Sequence, residues 1–191
     1  ADMSTIHWHG FKVPGPEDGG PTEPVAANSS RLYNFTLDQP AASLWFHPHP
    51  HGQTAEQVYR GLAGVFLLTD DIDDQLRSAN QVPAVENDIP VVVQDRLFEA
   101  EVSGERLLTY SDDHMSGFGM MGGTTLVNGA ELPRLSVETR QYTFRLYNAS
   151  NSRTYDFALH DGRTFTIVGS DGGWLPEPVQ ANHIVLSAGE R

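Results

Sequence analysis

The sequence contains no cysteine. Disulfides, thiolate-held zinc and a cysteine nucleophile are therefore excluded within these 191 residues, and the redox compartment is left open. Positive charge is scarce: 12 lysines and arginines stand against 25 aspartates and glutamates, for a formal net charge of −13. A phosphate backbone would be repelled, so no nucleic-acid partner is expected. The acidic residues are scattered or sit in short clusters such as Asp70, Asp71, Asp73 and Asp74, and read as a solvated surface. No apolar run is long enough to span a bilayer, so no membrane span is expected. The first residues, ADMSTIHWHG, carry no basic segment leading into an apolar core, so no signal peptide is visible.

What is present is a chain that reads as all-β. Short runs rich in β-branched and aromatic residues alternate with Gly, Pro, Asn and Asp clusters. In the first part the pattern predicts strands over Ser4–His9, Arg31–Leu37, Ser43–His47 and Gly64–Thr69. Later it predicts Ile89–Gln94, Arg134–Val137, Gln141–Tyr147, Asp156–Leu159, Thr164–Ser170 and His183–Leu186. Turns are expected at PGPEDGGP (14–21), NGAELP (128–133), HDGR (160–163) and DGGWLPEP (171–178). One short helix is expected over Gln53–Gly61, closed by its glycine. The polar stretch 71–88 reads as a linker between a unit over 1–70 and a unit over 89–191. A sandwich needs about seven strands, and 1–70 offers fewer. The chain is therefore expected to be an internal piece of a longer protein, with its first sandwich incomplete.

Histidine is sparse, yet five of the eight histidines fall in HWHG (7–10) and WFHPHPHGQ (45–53). In a strand, residues i and i+2 face one side, about 6.5–7 Å apart. His7 and His9 therefore project together, with Trp8 opposite, and His47 and His49 repeat the arrangement around Pro48. Proline removes a donor, which places this second pair at a sheet edge or strand end. On neighbouring strands, roughly 4.8 Å apart, two such pairs bring four imidazoles into a small volume. Imidazole suits copper, zinc, iron and nickel. Four histidines without thiolate or carboxylate argue against structural zinc and against calcium. Spacing leaves open whether a pair grips one metal or bridges two.

The motifs HWHG-x-x-VPG-x-x-DGGP, DQPA-x-x-x-WFHPH-x-HG-x-T and GLAG resemble the bacterial multicopper oxidases, in particular the copper-efflux oxidases and bacterial laccases. The resemblance continues through NDIPVVVQDRLF (87–98), TLVNGA (125–130), SDGGWLPEPV (170–179) and GER (189–191), and is weakest over DDHMSGFGMMGG (112–123). It implies cupredoxin-like Greek-key β-sandwiches and copper as cofactor. It places His7 on a type 2 copper, and His9, His47 and His49 on a type 3 pair; His51 falls outside the ligand set. Asp18, otherwise a turn former in PGPEDGGP, matches a family aspartate that moves protons near the type 2 copper. The implied partners are dioxygen, a cuprous or phenolic reductant, and a missing C-terminal cupredoxin domain carrying the type 1 site. Because that site needs a cysteine, the chain alone is expected to be inactive. A periplasmic or secreted location is implied by the family.

Two other readings stand beside this one. A mononuclear enzyme of cupin or carbonic-anhydrase style would hold one zinc or iron on His-x-His plus a distant histidine. A metal-free cupredoxin-like relative would serve as an interaction module. Among the remaining residues, Trp8, Trp45 and Phe46 read as packing around the site. Gly10, Gly52, Gly61 and Gly64 read as backbone requirements. His114, Met115, Met120 and Met121 offer soft donors for cuprous ion or simply fill loops and core. His160 and His183 read as surface or packing residues. Asn28, Asn34 and Asn148 match the glycosylation sequon, with no occupancy expected from the bacterial resemblance.

Overall fold

The computed structural model describes residues 2–102, 104–111 and 119–191. His114 and Met115 lie outside the described residues. The architecture is all-β, as the strand-and-turn pattern predicts, with two short helices among the described residues. The chain forms two compact units: Ala1–Asp73 with Val168–Glu177, and Asp74–Ile167 with Pro178–Arg191.

In the first unit, β1 (His7–His9), β2 (Ala42–His47) and β3 (Gly64–Leu68) form an antiparallel sheet in the order β1-β2-β3. Helix α1 (Thr54–Tyr59) joins β2 to β3 and buries Val58 and Tyr59. It ends before Gly61, whose φ of +100° an L side chain rarely adopts. Gly64 has a different reason: a Cβ there would lie 2.3 Å from the Phe46 ring.

In the second unit, β4 (Asp88–Val102) is the spine, much longer than the predicted Ile89–Gln94. It pairs antiparallel with β5 (Glu105–Thr109) and β6 (Thr124–Val127). The two-residue β7 (Ala130–Glu131) folds back on β6, and β8 (Thr143–Asn148) pairs with β4 in parallel. The β6–β7 turn is Asn128-Gly129, both at positive φ, as a tight hairpin requires. β9 (Tyr155–Ala158) pairs with β12 (His183–Leu186); β10 (Phe165–Ser170) pairs with β11 (Gly173–Ala181), and residues 168–177 of that ribbon belong to the first unit.

Four segments differ from expectation. Arg31–Leu37 and Arg134–Val137 are not strands. Arg31–Leu37 keeps its alternation, with Tyr33, Phe35 and Leu37 partly covered and Leu32, Asn34 and Thr36 exposed, but no ladder forms along it. The stretch 171–178 is a turn only at its start; from Gly173 it is strand β11, prolines included. Pro176 and Pro178 alternate, so both missing N–H groups fall on one side of a two-stranded ribbon and need not break its ladder. Within 71–88 a second helix forms, α2 (Asp71–Ser78). Asp70 explains it: one carboxylate oxygen accepts the Ile72 and Asp73 N–H groups, capping the helix, while the other accepts Ala41 N–H. These bonds, Ala41 first, hold the Asp70 carboxyl below its ordinary pKa.

Candidate metal centre

β1 and β2 pair with His7 opposite His47, Trp8 opposite Phe46 and His9 opposite Trp45. Side chains alternate across a strand, so this register sorts the residues by face. His7, His9, His47 and Trp45 share one face. Trp8 and Phe46 share the other, where Trp8 lies 5.4–5.8 Å from the rings of Phe11, Tyr33, Phe35 and Phe46. The sheet thus carries imidazoles on one side and an aromatic cluster on the other.

On the imidazole face, His7 lies 5.9 Å from His9 and 5.3 Å from His47, and His9 lies 5.4 Å from His47, between ring centroids. One ring nitrogen from each comes within 4.8 Å of the others, a grouping able to hold a metal ion. His49 lies past the end of β2. Its ring is 5.1 Å from His7 and 5.8 Å from His47, so all four predicted histidines come together, although His49 is outside the tightest triplet. Trp45 leans on His9 and His47 at 4.8 and 4.5 Å and is buried. Its expected packing role holds, on the same face as the imidazoles.

Hydrogen bonds set the tautomers. His47 Nδ1–H donates to the Pro48 carbonyl at 2.9 Å, and His7 Nδ1–H donates to the Asp18 carbonyl at 3.1 Å. A neutral imidazole carries one hydrogen, so Nε2 of both rings keeps its lone pair. His9 Nδ1 faces His47 Nε2 at 3.1 Å. His47 is only 7 % exposed. Burial, reinforced by His7 and His49 and opposed by the Pro48 bond, lowers its pKa from 6.5 to about 4. At neutral pH it is an uncharged donor.

Asp18 is brought to this cluster as well. Its Oδ1 lies 3.2 Å from His7 Nδ1, beside its own carbonyl contact. Gly19 makes that approach possible. Its φ is +67°, and a Cβ there would lie 1.9 Å from the Ile6 carbonyl oxygen. Only glycine lets the loop lie this close to the chain entering β1. His51 is exposed and stands apart, its N–H donating to the Pro21 carbonyl at 3.3 Å. His183 pairs with Asp156 on the surface, as expected of a residue outside the site. Met120 is wholly buried in the second unit and reads as packing, whereas Met121 is exposed. Two contributors escaped the residue pattern. Thr5 gave no signal, and Thr54 was visible only as the last position of HG-x-T.

Multicopper oxidase family profiles match residues 1–72 and 92–191. The chain belongs to the multicopper oxidase family. Across its full length it is 35% identical over 192 residues to a multicopper oxidase of Staphylococcus haemolyticus, covering 40% of that protein. It is 39% identical over 182 residues to the cell division protein FtsP of Salmonella typhimurium, covering 95% of this chain and 37% of FtsP. A solved variant of the McoA multicopper oxidase from Aquifex aeolicus superposes with a TM-score of 0.90 at 38% identity, over 99% of this chain and 41% of that one. The chain therefore spans about 40% of the length of the curated relatives it matches. Multicopper oxidase sequences and a cell division protein are about equally similar to it, so the chemistry of this member rests on its own histidines.

Proposed function

We propose that this chain supplies half of the trinuclear copper ligands of a multicopper oxidase that oxidises cuprous ion or phenols and reduces dioxygen to water. In this reading His7 holds the type 2 copper, and His9, His47 and His49 hold the type 3 pair. The observation that carries it is the convergence of four imidazoles on one side of the β1–β2 pair, with bare Nε2 atoms on at least His7 and His47.

The donor chemistry fits copper. Uncharged imidazoles suit a metal that cycles between oxidation states. The cluster includes no thiolate and no direct carboxylate donor. Copper, when bound, supplies the one-electron redox steps that add up to four-electron oxygen reduction. The protein's residues do the rest. Backbone carbonyls of Asp18 and Pro48 orient His7 and His47. Trp45 closes one flank against water. The Asp18 carboxylate, beside His7 Nδ1, is placed to hold a proton at the edge of the cluster. A type 1 site needs a cysteine that these residues lack. Alone, the chain is therefore read as catalytically silent, completed by a further cupredoxin domain. The setting follows the family: periplasmic or secreted. Among the described residues, no helix is long and apolar enough to cross a membrane.

The test is metal analysis and oxygen consumption of the full-length protein. Copper bound in the wild type, and lost from His9→Ala and His47→Ala, supports the reading. Asp18→Asn keeps the shape and removes the charge; it is expected to retain copper and turn over slowly. Unchanged oxygen consumption in copper-loaded Asp18→Asn refutes its proton role. A second reading, a metal-free interaction module, stands beside it because one similar protein is named for cell division rather than oxidation. Full-length protein that takes up no copper favours it. One zinc or iron in place of several coppers would favour a mononuclear enzyme.

A further inference from the structure

We infer that Thr54 is a positioning residue: it dictates which ring nitrogen of His49 carries hydrogen, and so turns Nε2 of that ring into the donor atom offered to the cluster. His49 lies beyond the last residue of β2, so no strand ladder holds it. Two threonines hold it instead. Its backbone N–H donates to Thr5 Oγ1 at 2.7 Å, and Thr5 is 4 % exposed. Its ring Nδ1 lies 3.3 Å from Thr54 Oγ1.

The direction of that second bond follows from a count of hydrogens. A hydroxyl has one. Thr54 Oγ1 lies 3.0 Å from the Pro50 carbonyl, four residues back, which can only accept. Pro50 is fully buried, and its carbonyl also accepts the Gln53 N–H at 3.1 Å, so its position is set by the turn. The Thr54 hydrogen is thus committed to Pro50. What Oγ1 presents to His49 is a lone pair, and Nδ1 must bring the hydrogen. The neutral ring then has a bare Nε2. Thr54 is the first residue of α1, where its β-branched side chain has few rotamers to choose from. The helix start therefore aims the acceptor.

The three rings differ in one useful respect. His7 and His47 are oriented by main-chain carbonyls, of Asp18 and Pro48, which no substitution at those positions removes. The Nδ1 acceptor of His49 is a side chain. Thr54→Val keeps shape and branching but offers no acceptor, so the hydrogen is free to move to Nε2 and mask the donor. Thr54→Ser keeps the hydroxyl.

The tautomer claim stands on hydrogen bonding alone, whereas its consequence for metal rests on the reading of His49 as a copper ligand. Both are tested on the full-length protein. Long-range 1H–15N correlation spectra of metal-free, 15N-histidine-labelled protein, with His49 assigned by its loss in His49→Gln, should show the Nδ1–H form in wild type and Thr54→Ser. Thr54→Val should show Nε2–H or a mixture. Titration with copper should then show at least about tenfold weaker uptake in Thr54→Val, with Thr54→Ser within about twofold of wild type. An Nε2–H ring at His49 in the wild type overturns the inference without any variant. So does a Thr54→Val protein with the wild-type tautomer. Should the wild type bind no copper, the proposed function fails while the tautomer result still decides this inference.

Discussion

Each unit of this protein encloses a polar assembly, and the two are built on opposite principles. In the second unit, buried Asp88 accepts from Arg145 Nε and Nη2 and from Arg77 Nη2, at 2.7–2.8 Å. Buried Asp95 accepts the Gly122 N–H at 2.7 Å and Arg153 Nε–H at 3.0 Å. Asn148 spends both amide hydrogens on the carbonyls of Arg153 and Leu186, and its oxygen accepts Ser150 N–H, which also fits the expectation that this sequon carries no glycan. Donors and acceptors match. In the first unit, rings of one kind crowd together: the Nδ1 hydrogens of His7 and His47 go to main-chain carbonyls, which leaves their Nε2 atoms without hydrogen, and the only donor near His47 Nε2 within the triplet is His9 Nδ1 at 3.1 Å. A matched network needs nothing further and specifies a fold. A cluster with an excess of lone pairs is complete only when something electron-poor joins it.

The largest expected effect breaks the matched side. Arg145→Ala leaves the Asp88 carboxylate short of a partner in a site where its side chain is 3 % exposed. Removing one member of such a buried pair costs on the order of 3–5 kcal/mol, read by chemical denaturation. His47→Ala should cost far less stability, even though His47 is equally enclosed, and should instead abolish copper uptake. If the two substitutions destabilise the protein alike, the contrast between the units is wrong.

Gly19→Ala comes next. It forces a side chain to φ +67° and against the Ile6 carbonyl. The left-handed conformation alone costs about 1–2 kcal/mol, and the loop must also lift away from β1. Copper content should fall because Asp18 no longer reaches His7. Full copper content with a variant of normal stability would show that the loop does not support the cluster.

Acid should separate the units by sign and by window. His47 is held below its ordinary value by burial, so its contribution is complete above pH 6.5 and disappears as pH falls to about 4. For Asp88, burial pushes upward, but hydrogen bonds and charge from Arg145 and Arg77 win, leaving the carboxyl below its usual value of 3.8. Its contribution persists down to that value and is lost only at lower pH. All three tryptophans, Trp8, Trp45 and Trp174, fall in the first unit. In metal-free protein their fluorescence should change at higher pH than the far-ultraviolet circular dichroism of the whole chain. Coincident transitions would remove the distinction. The smallest effect is at the surface: His183→Ala, which breaks an exposed pair with Asp156, should shift stability by about 0–1 kcal/mol.

How much of this is legible in the residue order depends on how local the cause is. The His-x-His spacing says that each pair shares a face, because alternation is a property of one strand. The glycine that follows α1 and the Asn-Gly hairpin are equally local. Arg31–Leu37 shows the limit. Its alternation is readable and is retained, but a strand is defined by pairing, and pairing depends on what lies alongside. Strand β11 fails in the other direction, since prolines that look like a turn are tolerated where a ribbon has an unpaired side.

Order along the chain was thus sufficient to establish an all-β protein, two histidine pairs and a donor set suited to copper. Only the folded arrangement decides that His7 sits opposite His47, that Trp45 joins the imidazole side, and that Asp18, Pro48 and Thr54 occupy the second ring nitrogens. The physical reason is range. Spacing acts over a few bonds, whereas register brings His7 to His47, 40 positions away, and hydrogen-bond acceptors bring together residues farther apart still, such as His49 and Thr5.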